Sequence, residues 1–342
     1  MAGGIHPAGR AELLGHAAAE RDFADAIAAG RLHHAWLIGG PEGIGKATLA
    51  YRVARRLLAR PAELRPDEGP LAVDPAGRTF RQIEAGSHPN LLVLDLDRAS
   101  QDVDKPPART IGVKTVRRAL SFFGSTAADG GHRVCIVDSA EDLLAAGANA
   151  LLKTIEEPPA RATILIVSHA PQRVLPTIRS RCRKLALSPL GEGDVATILS
   201  TLPAATGIEP ALLARAAELS EGSVGRASNL LDPARLSLLE EVASLLEQLP
   251  LVSNLRVLKV GDRLADRKGE DDLPLVLDVV RSWAATRIRE RAEEGTARLA
   301  PLAELCERID EAARSVETYN LDRRPFIVGM FTDLAEAVRR AA

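Results

Sequence analysis

Apolar residues along this chain fall into two regimes. In the first half, short continuous runs, Ala35-Trp36-Leu37-Ile38, Leu91-Leu92-Val93-Leu94, Val134-Cys135-Ile136-Val137 and Ile164-Leu165-Ile166-Val167, alternate with stretches of helical spacing. Such runs suit strands covered on both faces, because successive side chains point to opposite sides. Between them, Leu49, Val53, Ala54, Leu57 and Leu58 share one helical face, as do Val113, Val116, Leu120 and Phe123, and then Leu144, Ala148, Leu151, Leu152 and Ile155. A helix before the first run is expected on Leu13, Leu14, Ala17, Ala18, Phe23, Ala24 and Ile27, ending near Gly30. The alternation predicts an α/β fold with a sheet sandwiched by helices, closed by a last strand over Lys184–Leu187.

From Ser188 onward the spacing is helical to the end. Short helices are expected over 195–202, 210–219 and 225–231, then a second helical group starting at Leu236 and continuing over 275–289, 302–316 and 326–338. Residues 60–90, rich in Pro, Gly, Asp and Arg, read as an insertion or long loop, Arg98–Arg109 as another, and Gly261–Asp272 as a charged loop.

The most informative stretch follows the first apolar run. Gly40-Pro41-Glu42-Gly43-Ile44-Gly45-Lys46-Ala47-Thr48 reads as a glycine loop between strand and helix. Such a loop wraps backbone amides around a di- or triphosphate, and Lys46 would add its ammonium to the outer phosphates. Gly40, Gly43, Gly45 and Lys46 are the candidate nucleotide ligands, with Thr48 beside them. Ala47 stands where a Ser or Thr hydroxyl would hold magnesium, and Thr48 lies one position on, rotated by roughly 100° around the helix. Asp138 ends a strand where a carboxylate reaches magnesium through water, but Ser139 occupies the next position, where hydrolytic enzymes place a water-polarising Glu. A serine cannot be that base at neutral pH. Ser168 and His169 end another strand, where polar groups face a nucleotide or merely satisfy the strand end.

Composition narrows the function. With 44 basic and 46 acidic residues and 3 % aromatics, the chain is neither a strongly basic nucleic-acid binder nor a stacking platform for bases. Cys135, Cys182 and Cys306 are scattered without metal-ligand spacing, and His16, His33 and His34 lack partners at such spacing, so no metal site is expected. No apolar run approaches the ~20 residues of a membrane span, and the start lacks the layout of a secretory signal. A cytoplasmic address is expected.

Three blocks together carry a resemblance. Leu32 through Lys46, Asn149-Ala150-Leu151-Leu152-Lys153-Thr154-Ile155-Glu156-Glu157-Pro158-Pro159, and Leu175 through Cys182 resemble the delta prime family of bacterial DNA polymerase III clamp-loader subunits, most strongly over residues 10–232. The resemblance implies a RecA-like P-loop AAA+ domain over 1–188, a small helical lid over 189–233 and a helical collar, the oligomerisation domain, over 234–342. It implies gamma/tau ATPase subunits and delta as partners, with the sliding clamp and primed DNA met through the complex, and no membrane. Ser180-Arg181-Cys182 resembles the motif whose arginine reaches a neighbouring subunit's ATP site, making Arg181 the candidate catalytic residue, acting in trans. Arg226, in Gly222-Ser223-Val224-Gly225-Arg226, resembles the lid arginine that touches a nucleotide.

Two departures from the family matter. Relatives carry a four-cysteine zinc module after the P-loop helix, whereas residues 59–90 here contain no cysteine, so zinc is not expected. Many delta prime subunits have a damaged P-loop, whereas this one keeps Gly45-Lys46, leaving ATP or ADP as candidate ligands and their binding open. The reading is a non-hydrolysing AAA+ subunit, without autonomous ATPase, in a DNA-directed DNA polymerase (nucleotidyltransferase) holoenzyme. The alternative is an ATP-hydrolysing clamp-loader subunit or other AAA+ ATPase; Ala47 and Ser139 speak against it.

Overall fold

The computed structural model describes residues 6–96, 110–124, 131–266, 272–290, 296–319 and 321–341. The loop expected over Arg98–Arg109 lies outside them. Two units are distinguished, Met1–Ser228 and Asn229–Ala342.

The first unit is built on five parallel strands: β1 (Ala35–Gly39), β2 (Leu91–Asp95), β3 (Arg133–Asp138), β4 (Ala162–Ser168) and β5 (Arg183–Ala186), in the order β2-β3-β4-β1-β5. The helices are α1 (Ala17–Ala28), α2 (Lys46–Leu58), α3 (Arg78–Glu84), α4 (Val113–Gly124), α5 (Ala145–Glu156) and α6 (Pro176–Arg179). Alternate strand residues serve different layers, which is why the runs had to be continuously apolar. Trp36, Ile38, Val134, Ile136, Leu165 and Val167 pack with Phe23, Leu49 and Val53, whereas Leu37, Cys135, Val137, Ile164 and Ile166 pack with Val116, Leu151 and Ile155. Three further helices follow: α7 (Glu192–Ser200), α8 (Pro210–Leu219) and α9 (Val224–Asn229).

Register brings the strand ends that carry polar groups to one edge. Gly39 pairs with Ser168 and Asp95 with Asp138, so the loop after β1 and the ends of β3 and β4 meet at the carboxyl edge of the sheet.

Residues 60–90 are more ordered than their composition predicts. Two 3-10 turns, an antiparallel bridge between Leu64 and Val73, and α3 occupy them. Leu71, Phe80 and Ile83 are buried there. Glu63 accepts from the amides of Arg60 and Thr79, both at 2.9 Å, and from the Thr79 hydroxyl at 2.7 Å. The Arg55 guanidinium stacks 4.5 Å from the Phe80 ring and donates to the carbonyl of Ala8 at 2.7 Å and to that of Arg10.

The second unit comprises α10 (Pro233–Glu247), α11 (Asn254–Ala265), α12 (Leu273–Glu290), α13 (Thr296–Tyr319) and α14 (Arg323–Ala341). Its core includes Leu239, Val242, Leu246, Val257, Val260, Leu264, Val276, Val280 and Phe331. Arg235 joins Asp272 at 2.7 Å and Arg281 joins Asp310 at 2.8 Å. The charged loop expected from Gly261 is helical up to Ala265, because α11 runs through Gly261, burying Val260 and Leu264 while Lys259 and Asp262 stay outside; residues 267–271 lie outside the described residues. Among the described residues, no helix is long and apolar enough to cross a membrane.

Candidate functional site

The glycine loop bends back on itself between β1 and α2. Gly43 (φ 74°) and Gly45 (φ 102°) take left-handed backbone that other residues resist, and a Cβ on Gly43 would lie 2.3 Å from the Ser223 hydroxyl oxygen. The residues after α8 close against the loop at this point, with the Gly225 amide donating to the Gly43 carbonyl at 3.3 Å. His16, buried before α1, donates from Nε2 to the Ile44 carbonyl at 2.7 Å. His34 similarly bonds the Ile155 carbonyl at 2.9 Å and His33 the Ala35 carbonyl at 2.7 Å, so all three histidines serve the backbone.

Lys46 begins α2 and is only 3 % exposed. Its ammonium donates to the carbonyl of Gly40 at 2.7 Å and to that of Pro41. Burial pulls its pKa down to about 8, against the opposing pull of Glu42, Asp138 and Glu141. The helix start leaves backbone amides directed at the loop, so an anion fits there. A magnesium ion fits poorly, because Ala47 offers no oxygen. Among the described residues, no cluster of three or more His, Cys, Asp or Glu side chains could hold a metal ion.

Asp138 ends β3 as expected from the sequence, and burial raises its pKa, with His169 opposing and Asp95 adding to the shift. The neighbouring Ser139 is turned to local work: its hydroxyl donates to Asp142 at 3.1 Å and it caps a 3-10 turn. Ser168, wholly buried at the end of β4, donates to Glu141 at 2.5 Å, and Glu141 also accepts from the Ala170 amide at 2.7 Å. Sequence reasoning missed Glu141. Its partners lie 27 and 29 residues away, and its only local sign was the Ser139–Asp142 capping pattern around it.

Arg226 sits in α9, next to the Gly225–Gly43 contact, with its guanidinium on Glu221 at 3.0 Å. Arg181 is directed elsewhere. It follows α6, carries a 41 % exposed side chain, and donates to Glu156 at 2.9 Å and to the Thr177 carbonyl at 3.1 Å. Gly40, Gly43, Gly45, Lys46 and Asp138 thus gather at the carboxyl edge, Thr48 lies in the first turn of α2, and Arg181 interacts with none of them.

The sequence is similar to those of several named proteins. Residues 15–191 match the family described as DNA polymerase III, delta subunit. DNA polymerase III subunit delta' of Pseudomonas aeruginosa is 34 % identical over 75 % of this chain and 72 % of that protein. The Escherichia coli subunit delta' is 37 % identical over 60 % of this chain and 58 % of its own length. DNA polymerase III subunit gamma/tau of Mycobacterium tuberculosis is 36 % identical over a shorter span, 51 % of this chain and 28 % of its own length. By the extent of the family match and the 34 % identity across 72 % of the Pseudomonas protein, the chain belongs to the DNA polymerase III delta subunit family, alongside relatives named subunit delta'.

Proposed function

We propose that the chain acts as a delta prime-type, non-hydrolysing AAA+ subunit of the DNA polymerase III clamp loader. It assembles with gamma/tau ATPase subunits and delta, and supplies Arg181 in trans to a neighbour's ATP site. The sliding clamp and primed DNA are met through the complex. The observation that carries the reading is the turn after β3: Ser139 follows Asp138 where a water-polarising acid would stand, and its hydroxyl donates to Asp142 at 3.1 Å. Ala47 removes a second contribution to hydrolysis, the magnesium hydroxyl.

In this reading ATP or ADP, when bound, is held by Gly40, Gly43, Gly45 and Lys46, with Thr48, Asp138 and Arg226 at the margin, and is not turned over. Arg181 supports its own role by its exposure and by the chemistry of a permanently charged planar fork, suited to charge developing on a γ-phosphate. The test is Arg181→Ala in the reconstituted complex. Assembly should survive, while clamp- and DNA-stimulated turnover at the site served should fall about 10³-fold or more. Unchanged stimulated turnover would remove the trans role.

A further inference from the structure

The guanidinium of Arg181 is folded back onto its own chain. Nη2 donates to Glu156 Oε1 at 2.9 Å, and Nη1 donates to the Thr177 carbonyl at 3.1 Å. Glu156 is the last residue of α5, and Pro158-Pro159 stop the helix immediately beyond it. The carboxylate is therefore carried on a fixed helix end, and the arginine on a short turn between α6 and β5. The cation also lies near the helix C-terminus, where the unpaired carbonyls favour positive charge.

A carboxylate and a phosphate oxygen compete for the same donors. A guanidinium carries five N–H donors, but a side chain swung away from the end of α5 to reach a phosphate on a neighbouring subunit gives up its Nη2 bond to Glu156. Once turned, Arg181 leaves Glu156 without this ion pair. We propose that Glu156 is a positioning residue that holds Arg181 in cis and competes with the neighbouring subunit's nucleotide for its guanidinium. This inference rests on the trans role argued above. Both side chains are half exposed, 41 % and 47 %, so solvent screens the pair. The competition then shifts nucleotide affinity by no more than about fivefold.

The experiment is an ATP titration of the stimulated ATPase in the reconstituted complex, comparing wild type, Glu156→Gln, Glu156→Asp, and Glu157→Gln, which makes the same charge change one residue away. Glu156→Gln should lower KM for ATP about two- to fivefold with kcat unchanged. Glu156→Asp should stay near wild type, and Glu157→Gln should leave KM where it was. In an Arg181→Ala background, Glu156→Gln should have no effect. An unchanged KM, a fall in kcat, or the same KM shift without Arg181 would each overturn the inference. If Arg181→Ala alone leaves turnover unaltered, the trans role falls and takes this inference with it. If Arg181→Ala lowers turnover but Glu156→Gln moves nothing, only the competition falls.

Discussion

The Ser168 hydroxyl donates to Glu141 at 2.5 Å, tying the buried end of β4 to the turn after β3. A polar group that ends a strand beside the glycine loop is thereby committed to its own chain. Glu141 gains in turn: burial pushes its pKa up, but hydrogen bonds from Ser168 and Ala170 outweigh that and hold it below the usual carboxylate range.

Ser168→Ala should therefore destabilise the first unit by about 1 kcal/mol, less than a fully buried bond to a charged group would give, because Glu141 is only partly withdrawn from water. A carboxyl whose folded pKa is depressed contributes stability above its unfolded pKa, roughly 4.3, and loses it as pH falls through the folded value. The gap between wild type and Ser168→Ala in denaturant midpoint should be full at pH 7 and shrink below about pH 4. A gap independent of pH would contradict the account.

Lys46 gives a pH slope of the same sign in a higher window, although here burial disfavours the charged form instead of hydrogen bonds favouring it. Its folded pKa of about 8 lies below the ordinary lysine value of 10.5, so the unfolded chain binds more protons in between, and stability rises with pH across that window. Lys46→Met should abolish this rise, seen as the difference between the two proteins' urea midpoints at about pH 7.5 and pH 10. Parallel midpoints would show that the ammonium is not held in a desolvated place.

Gly43→Ala should cost about 1–3 kcal/mol, since it combines positive φ with a Cβ that meets the Ser223 hydroxyl. Adding Ser223→Gly should recover part of the loss, leaving the positive-φ strain and the approach of the Cβ to the Gly225 backbone, 2.9 Å from its nitrogen. Thermal melts of the two single variants and the double variant give the coupling directly. Strict additivity would mean that the two residues do not meet.

Residues 60–90 are held by Glu63, Arg55 and Phe80. Glu63→Ala should therefore lower the Tm of the full chain, while incubation with a strong zinc chelator should leave the wild-type Tm unchanged. A chelator-sensitive Tm would show that a metal supports this segment.

Much of this fold could be read from the sequence because both-face burial demands runs such as Ile164–Val167, buried at every position. The segment around α3 was not legible. Seven residues are too few to show helical period, and their stability comes from Glu63, sixteen residues away from Thr79. The end of α11 was hidden for another reason: Lys259 and Asp262 face water there, and their charges mask the buried Val260 and Leu264 between and beyond them. In the candidate site, local motifs singled out Gly40, Gly43, Gly45, Lys46 and Asp138, whereas the links from Glu141 to Ser168 and from Glu156 to Arg181 join distant positions that no local pattern marks.

The most direct test of the central claim is steady-state ATP hydrolysis by the purified chain, compared with a Lys46→Ala control under the same conditions. The account predicts equal, background-level turnover for the two proteins. Robust turnover that disappears with Lys46 would contradict it.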